Sequence, residues 1–265
     1  MLAGNGGRLV EDLLFKKICR LAGNAIVEYG MIRADDRILI GVSGGKDSVA
    51  LVHVLKHFQQ TAPIRFELEA ATFDPGFSGF SADGTGELCR SLGIRHHLIR
   101  LDMESLLKEK QLEENPCMLC SRLRRGNLYT LARKLKCNKI ALGQHLDDAE
   151  VSFLMSLCRG AGLSTMGPNV PEKNGELRVI RPLILTPEAM IAEWVAKMNL
   201  PIRGECRYRE QLENGDRRYF RQLLDRISER IPDLRSNMLR SMSNIQEGYL
   251  FDRRFLQQEK PDHEV

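Results

Sequence analysis

Ile38-Leu39-Ile40-Gly41-Val42-Ser43-Gly44-Gly45-Lys46-Asp47-Ser48-Val49-Ala50-Leu51 reads as a strand, a glycine turn and a helix. Arg37–Val42 is a short apolar run rich in β-branched residues, the pattern of a strand buried in a parallel sheet. Gly44 and Gly45 lack Cβ, so the backbone can turn sharply and approach a ligand closely. Val49, Leu51, Val52 and Leu55 then recur at helical spacing. A helix starting here aims its free N–H groups and the positive end of its dipole at the turn, which makes an anion site. The turn matches neither GxxxxGK[ST] nor GxGxxG.

Working outward, strands alternate with helices. Residues 8–30 carry an amphipathic helical stripe of Leu9, Leu13, Leu14, Ile18, Leu21, Ala25 and Ile26, read as an N-terminal extension. Strands are expected at 66–73, 95–101, 139–142 and 179–183, and helices at 81–92, 106–111, after Cys120, at 147–158 and at 187–198. Residues 160–175, rich in Gly, Pro and Asn, read as a long functional loop, and 217–258 as helical with a break near Pro232. The alternation predicts an α/β fold: a doubly wound parallel sheet with helices on both faces, ligands binding beyond the carboxyl ends of the strands. The expected division is an extension over 1–30, a nucleotide-binding domain over 31–202 and an Arg-rich helical extension over 203–265.

Composition bounds the function. The 265 residues are 43% hydrophobic and 28% charged, values of a globular chain. No apolar run reaches the length of a membrane span, and the first residues lack the apolar core of a signal peptide, so a cytoplasmic location is expected. The net charge of +4 is modest but unevenly spread. Arg122, Arg124, Arg125, Arg133, Lys134, Lys136 and Lys139 fall in a stretch from Asn115 to Leu146 that has no acid, and ten arginines lie between Arg203 and Arg240. Such patches suit a phosphate backbone.

There are seven cysteines, an odd number that argues against a disulfide framework. Cys19, Cys89, Cys137 and Cys158 read as small buried hydrophobes. Cys117-Met118-Leu119-Cys120 is compatible with a zinc half-site, a redox pair or two ligands of an iron–sulfur cluster. A complete zinc site would need a second such pair or two histidines at suitable spacing, and neither occurs. Cys206, in the polar run Gly204-Glu205-Cys206-Arg207, is the remaining cysteine in a basic setting, and three thiolates there suit a cluster with one open iron. Leu142-Gly143-Gln144-His145-Leu146-Asp147-Asp148 puts two carboxylates at a helix start, where they could hold Mg²⁺ or simply cap the helix.

Ser43-Gly44-Gly45-Lys46-Asp47-Ser48 matches SGGxDS, the pyrophosphate loop (PP-loop) of the ATP pyrophosphatases, whose fold is of the adenine nucleotide alpha hydrolase type. Pro116-Cys117-Met118-Leu119-Cys120-Ser121-Arg122-Leu123-Arg124-Arg125-Gly126, then Ala141–Asp148, then Ile180–Leu183 follow in the order seen in the tRNA 2-thiocytidine synthetases, which this chain closely resembles over about residues 15–250. The resemblance implies ATP and Mg²⁺ as cofactors, tRNA as partner, and a [4Fe–4S] cluster on Cys117, Cys120 and Cys206. It implies that a cytidine of the anticodon loop is adenylated on its C2 oxygen and exchanges that oxygen for sulfur. ATP is expected across Ser43, Gly44, Gly45, Lys46, Asp47 and Ser48, with Gly143 at the pocket and adenine near Thr72, Phe73 and Asp74. Asp47 and one of Asp147 or Asp148 are candidate Mg²⁺ ligands, and Arg124 and Arg125 are placed with the catalytic residues. A cysteine desulfurase or another sulfide donor is an expected partner. Homodimerisation through the C-terminal helices is conceivable, with no heptad to support it.

Where family members often carry another cysteine three residues after the third ligand, this chain has Arg209. Two alternatives stay open. One is a related PP-loop iron–sulfur enzyme that thiolates another tRNA base or desulfurates a thiolated nucleobase. The other is a zinc-bound tRNA-binding protein without catalysis.

Overall fold

The computed structural model describes residues 4–77, 80–110, 116–172, 175–200 and 215–256. Cys206 and the arginines from 203 to 209 lie outside the described residues, as does Asn115 just before the cysteine pair. The chain forms two compact units, Met1–Phe220 and Arg221–Val265.

The first unit is built on a six-stranded sheet in the order β3-β2-β1-β4-β6-β5. Its strands are β1 (Arg37–Gly41), β2 (Glu67–Asp74), β3 (Arg95–Arg100), β4 (Lys139–Ala141), β5 (Asn169–Pro171) and β6 (Arg178–Ile180). β1, β2, β3, β4 and β6 run parallel, with Ile40 level with Ala70 on one side and Ala141 on the other. The helices are α1 (Gly4–Glu28), α2 (Lys46–Thr61), α3 (Asp83–Ser91), α4 (Met103–Lys110), α5 (Pro116–Lys134), α6 (Leu146–Cys158), α7 (Glu188–Lys197) and α8 (Asp216–Arg230). The second unit holds the rest of α8, then α9 (Leu234–Met242), a 3₁₀ turn at Glu247–Tyr249 and α10 (Arg253–Leu256).

Strand alternation sorts the core into two layers. Ile38 and Ile40 of β1 face a cluster with Ile18 and Ala22 of α1, Ala50, Leu51, Val54 and Leu55 of α2, and Ile191, Trp194 and Val195 of α7. Leu39 between them faces the opposite layer, with Leu128 and Ala132 of α5. A third cluster under α4 and the start of α5 joins Phe73, Phe77, Met103, Leu107, Leu119 and Cys120. The N-terminal helix packs on α2 and α7, where Phe15 stacks on Trp194 at a centroid distance of 4.8 Å.

Two expectations need correction. The long loop over 160–175 contains β5, which pairs antiparallel with β6 through Asn169↔Ile180 and Pro171↔Arg178, so the sheet is mixed rather than purely parallel. Pro171, unable to donate to a ladder, is tolerated because β5 is an edge strand. Cys158 is exposed, together with its neighbour Leu157, because α6 runs past the core in its last turn. Cys19, Cys89 and Cys137 are buried, and burial pushes their thiols up to about 12, 11 and 11.

Candidate active site

β1 is flanked by β2 on one side and β4 on the other, and the chain crosses over β1 between β3 and β4. A crevice therefore opens between the loops that leave β1 and β4. Both loops carry sequence-predicted residues. Gly44 has φ +85°, a left-handed conformation that a side chain resists. Gly45 takes the N-cap of α2 and has no side chain to close the helix end. Ser48, almost fully buried, organises the turn: its hydroxyl donates to Gly45 O at 2.9 Å and accepts from Ser43 N–H at 3.1 Å. Ser43 is exposed, with Oγ 3.2 Å from Ser48 Oγ. The hydroxyl offered to a ligand is thus that of Ser43, while Ser48 shapes the loop.

The β4 loop presses on this turn. A Cβ on Gly143 would lie 2.9 Å from the carbonyl carbon and oxygen of Asp47 and 3.0 Å from Ser48 N. Only glycine lets the two backbones meet without displacement.

Three helix N-termini converge here, those of α2, α6 and α7, and each brings acid in its first turn: Asp47, the Asp147–Asp148 pair and Glu188. Helix dipoles favour negative charge at these ends. His145, the N-cap of α6, is 2% exposed and lies among the carboxylates, with Nε2 3.8 Å from Asp47 Oδ1 and 3.5 Å from Asp148 Oδ2, and Nδ1 3.6 Å from Asp147 Oδ2. Burial opposes its charge, but Asp147, Asp148, Asp47 and Glu188 outweigh burial and raise its pKa. Asp47 is also raised, because loss of solvent exceeds the help from Lys46 and His145. Lys46 Nζ donates to Asp47 Oδ2 at 3.1 Å and to Glu188 Oε1 at 2.7 Å. Burial alone would lower Lys46, yet these partners hold it above its ordinary value.

Sequence reasoning missed Glu188. It lies 142 residues from Lys46, and nothing in Thr186-Pro187-Glu188 separates it from an ordinary acidic first turn. It also left His145 without a role. Arg181 is a further residue at the site: its guanidinium donates to Gln144 Oε1 and Gly167 O, joining the loops after β4 and before β5.

At the end of β2, Thr72 is fully buried and its hydroxyl is engaged 2.8 Å from Thr85 Oγ1 and 2.8 Å from His96 Nε2. Thr85 donates to Ala82 O at 2.6 Å, so Thr72 donates to Thr85 and accepts from His96. What β2 can offer an adenine is backbone. Asp74 Oδ1 accepts from Gly76 N–H at 2.9 Å and orders the following turn.

Cys117 and Cys120 lie in the first turns of α5, one helical turn apart. Cys120 Sγ is 3.9 Å from Arg124 Nη2, and the same guanidinium sits 5.9 Å from the centre of the Phe73 ring. Arg124 therefore spans from the thiol pair to the end of β2. Arg122, Arg124 and Arg125 are all exposed, and the charge of Arg125 adds to the burial that lowers the pKa of Arg181. The first turn of α8 reaches the site as well, with Asp216 paired to Arg159 and Arg217 Nη1 3.7 Å from Asp148 Oδ1.

The donor set suits the implied groups. Cys117 and Cys120, within one turn at a helix N-terminus with Arg124 beside Cys120, offer two sulfur ligands of the kind that hold iron–sulfur clusters. Asp47 Oδ1 is buried with Lys46 Nζ at 3.1 Å and His145 Nε2 at 3.8 Å, so a hard cation meeting this carboxylate would displace part of that pairing. Among the described residues no three His, Cys, Asp or Glu side chains converge as a ready-made metal site. Mg²⁺ fits that pattern, since it commonly takes one or two carboxylates and completes its shell with phosphate oxygens and water.

A PP-loop domain family matches residues 16–230. The tRNA-cytidine(32) 2-sulfurtransferase of Geobacter sulfurreducens is 37% identical over 246 residues, 92% of this chain and 95% of its own. The chain belongs to this family. A relative of the same name from Chromohalobacter salexigens is 36% identical, covering 93% of this chain and 87% of its own. Among solved structures, the U34-tRNA thiolase NcsA from Methanococcus maripaludis, with its [4Fe-4S] cluster, superposes with a TM-score of 0.70 at 20% identity, covering 94% of this chain and 81% of its own. That likeness is one of fold.

Proposed function

We propose that this protein is an ATP-dependent tRNA sulfurtransferase that converts a cytidine of the anticodon loop to 2-thiocytidine. The observation that carries the reading is that two chemistries lie at the carboxyl ends of adjacent strands. A phosphate turn pressed against Gly143 lies at the end of β1, and Arg124 ties the Cys117–Cys120 pair to Phe73 at the end of β2. Membership of the sulfurtransferase family supports the same substrate.

ATP lies over the N-terminus of α2, where the backbone of Gly44 and Gly45, the Ser43 hydroxyl and Lys46 meet its phosphates. Asp47, with Asp147 or Asp148, would hold Mg²⁺, which when bound would neutralise charge on the departing pyrophosphate. The cytosine C2 oxygen attacks the α phosphate, making C2 a centre from which AMP can depart. Cys117, Cys120 and Cys206 would hold a [4Fe–4S] cluster, which when bound would supply the sulfur that replaces the C2 oxygen. Arg124 stabilises the thiolate side, while Arg125 and Arg122 are free to meet phosphates. The target base must be unstacked to reach the crevice. Sulfide reaches the protein from a donor such as a cysteine desulfurase whose persulfide is reduced by a thiol. The nucleotide-binding division spans 31–202, with 1–30 as packing helix and 203–265 as a basic extension. Exposed Ile245, Tyr249 and Phe251 favour self-association through that extension.

The test is mass spectrometry of tRNA nucleosides from cells lacking the protein, with reconstituted protein, ATP and sulfide added back in vitro. Loss and ATP-dependent return of 2-thiocytidine is the expected result. Unchanged 2-thiocytidine, or loss of a different thionucleoside, would overturn the assignment.

A further inference from the structure

Glu188 is the first residue of α7, directly after Pro187, and its carboxylate crosses to the first turn of α2. Oε1 accepts from Lys46 Nζ at 2.7 Å, closer than the 3.1 Å between that ammonium and Asp47. Its backbone N–H donates to Asp147 Oδ2 at 2.7 Å. One residue therefore joins the starts of α2, α6 and α7. Both side chains of the Lys46–Glu188 pair keep about a quarter of their surface, at 26% and 22%, so the pair faces the crevice rather than the core.

We propose that Glu188 is a positioning residue for nucleotide binding: it takes a share of Lys46 from Asp47, at 2.7 Å against 3.1 Å from each Asp47 oxygen, poising the ammonium for phosphate and lessening its hold on the carboxylate that meets the accompanying cation. The inference rests on the nucleotide-binding reading above. Two carboxylates compete for one ammonium with three donors. Without Glu188 the attraction of Lys46 falls on its immediate neighbour Asp47. A carboxylate neutralised in that way is a poorer ligand for Mg²⁺, and an ammonium held down on it is a poorer ligand for phosphate. Glu188 also limits the freedom of the long lysine stem before ATP arrives, so less ordering remains for binding. An ion pair that merely held α7 against α2 would predict something different: loss of stability, with no dependence on Lys46.

The experiment is calorimetric titration of the full-length protein with MgATP, without tRNA, for the wild type, Glu188→Gln, Glu188→Asp, Lys46→Met and the Lys46→Met/Glu188→Gln double variant. Glu188→Gln is expected to weaken MgATP binding about ten-fold, the scale of one charge-assisted hydrogen bond, and to raise the Mg²⁺ concentration needed for half-saturation. Glu188→Asp should recover part of the loss. In the Lys46→Met background, Glu188→Gln should change affinity by less than about two-fold. Unaltered affinity in Glu188→Gln, or the same ten-fold loss when Lys46 is already absent, would overturn the proposal. If Glu188→Gln does not fold by circular dichroism, Glu188→Asp decides, and wild-type affinity there overturns it. A wild type that fails to bind MgATP overturns the functional reading itself, whereas a binding wild type with an indifferent Glu188 overturns this inference alone.

Discussion

Two lysine–carboxylate pairs stand at opposite ends of the central strands, both with 2.7 Å between nitrogen and oxygen, and they do different work. At the amino ends, Lys139 Nζ meets Asp36 Oδ2, with side chains 5% and 7% exposed. Further partners surround them: Lys139 also donates to Met31 O, and Asp36 accepts from Arg33 N–H and from Asn138 Nδ2. At the carboxyl ends, Lys46 is shared between Glu188 at 2.7 Å and Asp47 at 3.1 Å, and the three side chains keep 26%, 22% and 28% of their surface. The first pair is closed and holds the segment after α1 to β1 and β4. The second is exchangeable, because its partners can be replaced by phosphate and cation. Equal distance says nothing of role; burial does, because a pair that keeps its solvent can exchange partners and a dry one cannot.

The sharpest way to break this comparison is at the closed pair. Lys139→Met leaves Asp36 buried without its cation and is expected to cost about 3–5 kcal/mol in urea unfolding, with MgATP affinity unchanged in the folded fraction. A loss below about 1 kcal/mol would show that the lower pair is as dispensable as a surface bridge. At the open end, Asp47→Ala should behave oppositely. ATP cleavage to AMP in the presence of tRNA should fall at least about a hundred-fold, while stability and bound iron stay near wild type. ATP consumption at the normal rate would remove Asp47 from the site.

The buried thiols add a pH test of the closed core. In the unfolded chain a cysteine ionises near pH 8.5. In the folded chain Cys19 waits until about 12 and Cys89 and Cys137 until about 11. Above pH about 8.5 the unfolded state therefore holds fewer protons than the folded one, and stability must fall as pH rises. Urea midpoints should decline between about pH 9 and 11, and Cys89→Ser/Cys137→Ser should flatten that decline at some cost at pH 7. Alkylation at pH 8 followed by peptide mapping should label exposed Cys158 and spare those three. Rapid labelling of Cys89 would contradict its burial.

The smallest expected effect separates two neighbouring arginines at the open end. Arg125→Ala should reduce the slope of log K for tRNA against log salt by about 0.7–0.9, the loss of one phosphate contact. Arg124→Ala should leave that slope alone and lower iron content, because its guanidinium faces Cys120 and Phe73. Equal slopes for both would place Arg125 on an ordinary solvated helix face.

Much of the fold was legible because local pattern and global role agree in it. The strand–turn–helix at 37–55, the alternation that winds the sheet and the cysteine pair at the start of α5 all declare themselves within a few residues. What escaped was short or non-local. β5 has three residues and takes its strand character from hydrogen bonds to β6, which no propensity in a Gly/Pro-rich run announces. The exposure of Cys158 depends on where α6 outruns the core, not on its apolar neighbours.

The sequence alone determined which chemistry is present: the phosphate turn, the thiols, the acids at a helix start and the family to which they belong. Only the tertiary structure decided which of these groups act on one another. Ser48 braces the loop that Ser43 offers, Gly143 admits the backbone of Asp47, Arg124 reaches from Cys120 to Phe73, and Glu188 claims Lys46 from 142 residues away. The reason is physical. A motif specifies side chains along the chain, whereas charge and hydrogen bonding act through space over a few ångströms, a distance set by the sheet order that brings β1 and β4 side by side.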